Sequence, residues 1–141
     1  MSNPIRAATI KDAEHCARLG LKFIEAAQMP PATLDGCLAF CQILIPSESA
    51  GVFVSEKGVI AGVLAPLYYN PQHVQAVELW WWAEDGNGGK LLAAFEDWAW
   101  ERGASDINMS TLDHFTPPGV DKMLLRRGYV LRDKTYRRGR E

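Results

Sequence analysis

A glycine-rich segment near the middle of the chain joins an apolar strand to an amphipathic helix. It reads Asp85-Gly86-Asn87-Gly88-Gly89-Lys90, between the apolar run 77–83 and the amphipathic run 91–102. First-turn N–H groups of a helix have no partner within the helix, and the helix dipole is positive there. Because glycines let a ligand approach the backbone, we predict an anion site, best suited to phosphate. The alternative is a simple strand–helix turn capped by Asn87, for which three glycines are more than is needed.

Three common phosphate and metal motifs do not fit this segment. A P-loop has Ser or Thr after its Lys, whereas Leu91 follows Lys90 here. The dinucleotide-binding fingerprint needs a further glycine, and its place is again Leu91. A calcium loop needs oxygen ligands at alternate positions, one of which is Gly89. We therefore expect a phosphate site of another kind, without a metal.

The residues that follow the glycines are similar to those of a known superfamily. The motif consists of Gly86-Asn87-Gly88-Gly89-Lys90-Leu91-Leu92, then Phe95, Trp98, Ala99 and Gly103. It resembles the coenzyme A loop and helix of the GNAT superfamily of N-acetyltransferases. The segment Ile5–Ala13 resembles that superfamily's opening strand and helix start, and Arg126-Arg127-Gly128-Tyr129 resembles the turn before its last strands. The resemblance covers nearly the whole chain.

Hydrophobic periodicity predicts a single α/β domain over residues 1–141. Strands are expected at 5–8, 52–55, 59–69, 74–83, 106–110, 129–134 and 135–138. Helices are expected at 11–27, 33–45, 88–102 and from 118 or 119 to 127, with a turn at Asn70-Pro71. Strand 106–110 should lie parallel to strand 74–83. The resulting fold is a mixed, mostly antiparallel central sheet of six or seven strands with helices on both faces, in agreement with the GNAT fold.

Composition narrows the class of protein. With 141 residues, 48% of them hydrophobic, the chain can bury a core. It lacks both an apolar run of about 18 residues, as a membrane helix needs, and a signal sequence, so we expect a cytoplasmic protein. Cys16, Cys37 and Cys41 have no metal-ligand spacing, and we interpret them as buried thiols.

Charge is distributed unevenly along the chain. The net charge is −2, but residues 126–141 alone are net +5, which leaves net −7 on residues 1–125. The basic tail has three interpretations: a contact to nucleic acid, a contact to the 3′-phosphate of coenzyme A, or a solvated strand edge. The solvated edge is favoured, and the acidic body argues against nucleic acid.

The resemblance implies which residues hold acetyl-CoA. The pyrophosphate would lie on Gly86, Asn87, Gly88, Gly89, Lys90 and Leu91. Backbone groups of Trp81, Trp82 and Ala83 would bind the pantetheine arm, in an opening between this strand and 106–110. Two positions depart from the superfamily pattern. Ala83 stands where the loop usually has Arg or Gln, and Leu124 stands where a Tyr often protonates the leaving thiolate.

Two residues are candidates for proton transfer. Glu78 lies inside an apolar strand, where burial raises the pKa of a carboxyl group and makes it a better base. The alternative is that Glu78 is half-exposed or forms an ion pair and has no role in proton transfer. His114 follows the parallel strand at its C-terminal end and could replace the missing Tyr, although it is more simply a loop residue. Trp80, Trp81 and Trp82 cannot share one face, since strand residues alternate.

The functional hypothesis is an acetyl-CoA-dependent N-acetyltransferase that moves the acetyl group to a primary amine by direct attack. The acceptor would be a small molecule or peptide, and its identity is not readable from the sequence. A first alternative is a degenerate GNAT protein that binds coenzyme A without turnover, as a regulatory or structural module. A second is a nucleic-acid binder that uses the basic tail. A homodimer is left open.

Overall fold

The computed structural model describes residues 5–140. Its strands are β1 (Arg6–Ala7), β2 (Ala50–Ser55), β3 (Gly58–Leu67), β4 (Asn70–Ala83) and β5 (Asp106–Asn108). Its helices are α1 (Ala13–Ala26), α2 (Leu34–Leu44), α3 (Gly88–Glu101) and α4 (Pro118–Arg126), and a 3-10 turn at Ile10–Asp12 leads into α1. The chain divides into two compact units, one ending at Ser110 and the other beginning at Thr111.

The sheet belongs to the first unit and has the order β1-β2-β3-β4-β5. The first four strands are antiparallel, and β5 runs parallel to β4 as predicted. The expected six or seven strands are not confirmed, because residues 129–140 form no strand. Val130 and Leu131 are 73% and 78% exposed, so neither face of that segment is buried against a neighbour.

Helices cover both faces of the sheet. On one face, α1 and α2 pack over β2 and β3 in a core that includes Cys16, Cys41, Val54 and Val59. On the other face lies α3, whose Leu91, Leu92 and Phe95 are fully buried. The close approach of α3 requires glycine in β3, since a Cβ on Gly62 would lie 2.5 Å from the Phe95 ring and from the Val77 carbonyl oxygen.

The β3–β4 hairpin departs from the predicted turn. Its turn residues are Tyr68 and Tyr69, whereas the sequence had suggested Asn70-Pro71. Asn70 already pairs with Leu67, and Pro71 lies near the start of β4, where a missing N–H is tolerated.

A β-bulge interrupts β4 next to the tryptophans. Gly62 pairs with Glu78 and Ala61 pairs with Trp80, so Leu79 is an extra residue with no partner in the ladder. In a regular strand Glu78 and Trp80 would share a face; the bulge turns them to opposite faces.

The second unit contains a short turn and α4. Residues 112–116 form the turn through bonds from Phe115 N–H and Thr116 N–H to the Leu112 carbonyl, and His114 lies exposed within it. Helix α4 buries Leu124. It ends at Arg126, and Gly128, two residues further on, has a φ of 94° that favours glycine.

Two further findings concern membranes and metals. No helix within residues 5–140 is long and apolar enough to cross a membrane. In the same range, no three or more His, Cys, Asp or Glu side chains are grouped so that they could hold a metal ion.

Candidate active site

The candidate site is a gap beside β4. Strand β5 pairs with β4 only along Gln75–Val77. Among the strands of residues 5–140, the segment 78–83 therefore has a neighbour on the β3 side alone. This gap agrees with the predicted opening between the two strands. Backbone N–H and C=O groups on such an edge can bind an extended ligand arm.

Glu78 lies at the apex of this gap, directly after Val77, the last residue of β4 that pairs with β5. The Ser110 N–H, two residues beyond the end of β5, donates to Glu78 Oε1 at 3.2 Å. Burial raises the pKa of Glu78 from 4.5 to about 7, against the opposing effect of the Ser110 hydrogen bond. A carboxyl group with this pKa is substantially ionised at neutral pH and is still basic enough to accept a proton.

The glycine segment lies at the other end of the gap. Helix α3 begins at Gly88, and Asn87 occupies the N-cap position without capping the helix through its side chain. The side-chain cap by Asn87 that the alternative interpretation expected is thus not present. The Leu91 N–H donates to the Asn87 carbonyl at 2.9 Å, and the Leu91 side chain is buried. The donors that α3 leaves open are those of Gly88, Gly89 and Lys90.

Only one of the three glycines, Gly86, has a backbone conformation that requires glycine. Gly86 has φ +74°, a conformation that side chains disfavour. A Cβ on Gly89 would meet nothing within 4 Å, and one on Gly88 would make an ordinary 3.7 Å contact with Trp81. The packing of the protein itself therefore does not explain glycine at 88 and 89. Their missing side chains leave the helix end accessible, as a bound pyrophosphate requires.

Asp85 fixes the position of the glycine segment. Its Oδ2 accepts hydrogen bonds from Ser55 Oγ at 2.7 Å and from Lys57 N–H at 2.8 Å, and its Oδ1 accepts from Asn87 N–H at 3.2 Å. Partial burial raises the pKa of Asp85, but the bonds from Ser55, Lys57 and Asn87 outweigh it and hold the pKa at about 2. Sequence reasoning missed this role because Ser55 and Lys57 lie on a distant hairpin.

The tryptophans connect the end of β4 to both helical layers. Trp81 Nε1 donates to the Gly88 carbonyl at 3.0 Å, on the α3 side. Trp82 packs against Phe23 of α1, and its Nε1 donates to Glu84 Oε2 at 2.9 Å. Glu84 also pairs with Lys22 of α1 at 3.3 Å. Trp81, Trp82 and Ala83 keep their backbones along the free edge of β4, where the predicted pantetheine contacts would be.

His114 belongs to the second unit, and its role in proton transfer stays a prediction. It is exposed within the 112–116 turn. Leu124, at the place of the expected Tyr, is buried in α4 and carries no group that could donate a proton.

Comparison with known proteins establishes the fold. No protein-family model matches the chain, and no curated protein sequence matches it. Solved structures do match over nearly the full length, and the architecture is that of the GNAT acetyltransferases. At identities below one fifth, this likeness concerns the fold.

Three of these structures illustrate the match. A GCN5-related N-acetyltransferase from Ralstonia eutropha JMP134 has 17% identity and a TM-score of 0.76, covering 97% of this chain and 98% of its own. A predicted acetyltransferase from Clostridium acetobutylicum, determined with acetyl-CoA, has 13% identity and a TM-score of 0.75, covering 98% and 96%. A ribosomal-protein-alanine N-acetyltransferase from Brucella melitensis biovar Abortus 2308 has 15% identity and a TM-score of 0.67, covering 99% of both chains.

Proposed function

We propose that this protein is an acetyl-CoA-dependent N-acetyltransferase acting on a primary amine. One observation carries the proposal: a gap at the edge of β4 has a carboxyl group of pKa about 7 at its apex and an open helix N-terminus at its far end. The first can accept a proton from an amine, and the second can bind the pyrophosphate of a coenzyme A thioester. The GNAT-type fold and a structural neighbour with acetyl-CoA support the same reaction.

Each part of the gap has a role in the proposed reaction. The N–H groups of Gly88, Gly89 and Lys90 bind the pyrophosphate, aided by the positive end of the helix dipole. Backbone groups of Trp81, Trp82 and Ala83 hold the pantetheine arm. Asp85 keeps the glycine segment in place through its bonds to Ser55 and Lys57. Acetyl-CoA supplies the activated acetyl group.

Glu78 is the proposed general base. It takes a proton from the amine, whose nitrogen forms the new C–N bond to the acetyl carbon while the C–S bond breaks. The thiolate then takes a proton from water or from His114, since Leu124 cannot supply one. A free thiol has a pKa of about 8.5, so its thiolate is an adequate leaving group near neutral pH without a dedicated acid.

The pyrophosphate assignment is tested with Gly89→Ala. Space is open around Gly89, so the variant should fold and gain up to about 1 kcal/mol of helix stability. The added methyl group should nevertheless weaken coenzyme A binding, measured by calorimetry, because it stands where the phosphates approach. Gly119→Ala is a matched stability control, since Gly119 is also the second residue of its helix and also has open space.

The results separate the proposal from its alternatives. Coenzyme A affinity equal to wild type in Gly89→Ala would remove the loop assignment. Tight coenzyme A binding with no acetyl transfer to any amine in a broad panel would favour the degenerate GNAT alternative. Binding to nucleic acid that weakens steeply with salt would favour the third hypothesis, which rests on the basic tail alone.

A further inference from the structure

A cavity of about 250 Å³ lies between α1, α2 and β4. Its wall includes the aromatic residues Phe23, Phe40 and Trp80 and the thiols of Cys16 and Cys37, and none of its lining residues carries a charge. An apolar cavity of about 150 Å³ is enough to hold benzene. This one therefore has room for an aromatic or branched aliphatic group of about ten non-hydrogen atoms.

The cavity is open to solvent and adjoins the apex of the gap. Met29, Phe40 and Leu79 line it and are 39%, 47% and 39% exposed, so they form its mouth. Leu79 is the bulged residue of β4, and with Trp80 it directly follows Glu78. Glu78 points to the opposite face of the sheet, but among the strands of residues 5–140 this part of β4 has a neighbour on the β3 side alone. An amine attached to an apolar group in the cavity can therefore approach Glu78 around the open edge of the strand.

The lining determines which end of an amine can enter. A charged ammonium group is unstable in a cavity that offers it no carboxylate. The Trp80 indole Nε1, in the wall of the cavity, is buried and has no hydrogen-bond acceptor among residues 5–140, and it is a donor. Both features disfavour the ammonium group, which is a charged donor, inside the cavity. The uncharged lining favours the apolar part of the molecule there, with the amine outside at the edge of β4.

We infer that the acceptor is a primary amine carrying an uncharged apolar group of aromatic size, and that this cavity binds that group. The inference rests on the proposed function, which it extends from amines in general to one chemical class. Burial of the apolar group stabilises the transition state. The value of kcat/KM should therefore be higher for amines that carry such a group than for amines that lack it.

Two amines of similar reactivity provide the test, with acetyl-CoA as donor and thiol release as readout. We expect kcat/KM for 2-phenylethylamine to exceed that for ethanolamine at least tenfold. Cys37→Phe places a ring in the cavity and should lower the ratio of kcat/KM for 2-phenylethylamine to that for ethanolamine at least tenfold. Ile43→Phe is the control, because Ile43 is on the same helix, is 73% exposed and lies outside the lining.

A second readout does not depend on turnover or on whether Cys37→Phe folds. Cys37 is half-buried and lines the cavity, so an occupant should shield its thiol. Saturating 2-phenylethylamine should slow iodoacetamide modification of Cys37 in the wild-type protein at least threefold, followed by mass spectrometry. Ethanolamine at the same concentration should have no effect.

The outcomes distinguish this inference from the proposed function. Equal or better use of ethanolamine, an unchanged preference in folded Cys37→Phe, or unaltered modification of Cys37 would overturn the inference and leave acetyl transfer standing. If neither these nor other amines are acetylated, the proposed function fails and the inference fails with it.

Discussion

Glu78 illustrates how a single side chain can combine an energetic cost with a function. Its carboxyl group is partly buried beside a bulge, and the bond from the Ser110 N–H does not offset the lost hydration. The protonated form is therefore favoured in the folded protein up to a pH of about 7. A group held near its own pKa at neutral pH is suited to proton transfer, but its ionisation destabilises the fold.

The variant Glu78→Gln separates these two effects. Since the pKa of Glu78 is raised on folding, from 4.5 to about 7, the folded state binds the extra proton and wild-type stability falls as pH rises through this range. We expect the variant to be more stable than wild type by about 1–3 kcal/mol at pH 8, a figure reduced because Glu78 is partly exposed. Below about pH 4.5 the two proteins should be equally stable. Denaturant unfolding at both pH values measures this.

Activity should change in the opposite direction. The base must be ionised, so wild-type kcat/KM should rise with pH through about 7, and Glu78→Gln should lose roughly 10²–10⁴-fold in turnover while keeping its affinity for coenzyme A. Wild-type turnover in the variant at saturating amine would show that Glu78 takes no part in proton transfer.

At the level of elements, the site depends on a tie between two parts of the chain. The β2–β3 turn supplies Ser55 and Lys57, and the glycine segment before α3 supplies Asp85. Ser55 is only 6% exposed, so its hydroxyl has little access to water as a substitute partner. The hairpin therefore positions the helix end at which the pyrophosphate is proposed to bind.

Removal of this tie should affect both stability and binding. Asp85→Ala leaves the Ser55 hydroxyl and the Lys57 N–H without their acceptor, which costs about 2–3 kcal/mol near neutral pH. Because the pKa of Asp85 is lowered to about 2, this stabilisation is fully present above about pH 4 and should fade as the pH falls toward 2. Unfolding curves measure the loss.

Coenzyme A affinity should fall about tenfold in the same variant, because the segment is no longer held. Asp97→Ala is the matched control, since Asp97 lies exposed on α3 itself. Equal affinities in the two variants would mean that the tie stabilises the fold without positioning the loop.

At the scale of the molecule, the first unit is organised around a sheet covered by helices on both faces. Cys16 and Cys41 belong to the core under α1 and α2, and Cys37 packs at its margin. Burial raises the pKa of Cys16 to about 12 and that of Cys41 to about 11. Neither thiol forms appreciable thiolate near neutral pH, so their reactivity reports on global opening.

We expect iodoacetamide at pH 8 to modify Cys37 alone in the native protein. Cys16 and Cys41 should react only when denaturant unfolds the first unit, with the same midpoint as the loss of tryptophan fluorescence. Mass spectrometry of the labelled peptides measures this. Rapid native labelling of Cys16 or Cys41 would mean that the helices open locally from the sheet.

The local elements and the glycine segment were readable from the sequence because their signals are local. Strand β4, the turn at Gly86 and helix α3 follow from an apolar run, a glycine cluster and an amphipathic period in adjacent residues. Glu78 was identified for a similar reason, since a carboxylate within an apolar strand is expected to be at least partly buried. The sequence also indicated the parallel pairing of β5 through the intervening helix.

Only the tertiary structure decided the rest, because those features depend on residues far apart in the chain. The bulge at Leu79 is a mismatch of register between two strands, and neither strand alone specifies it. The bond from Ser110 to Glu78, the tie between Asp85 and Ser55, and the apolar cavity each join distant segments. The C-terminal strands were predicted from local composition and do not form, since a strand needs a neighbour and a buried face, which are properties of the fold.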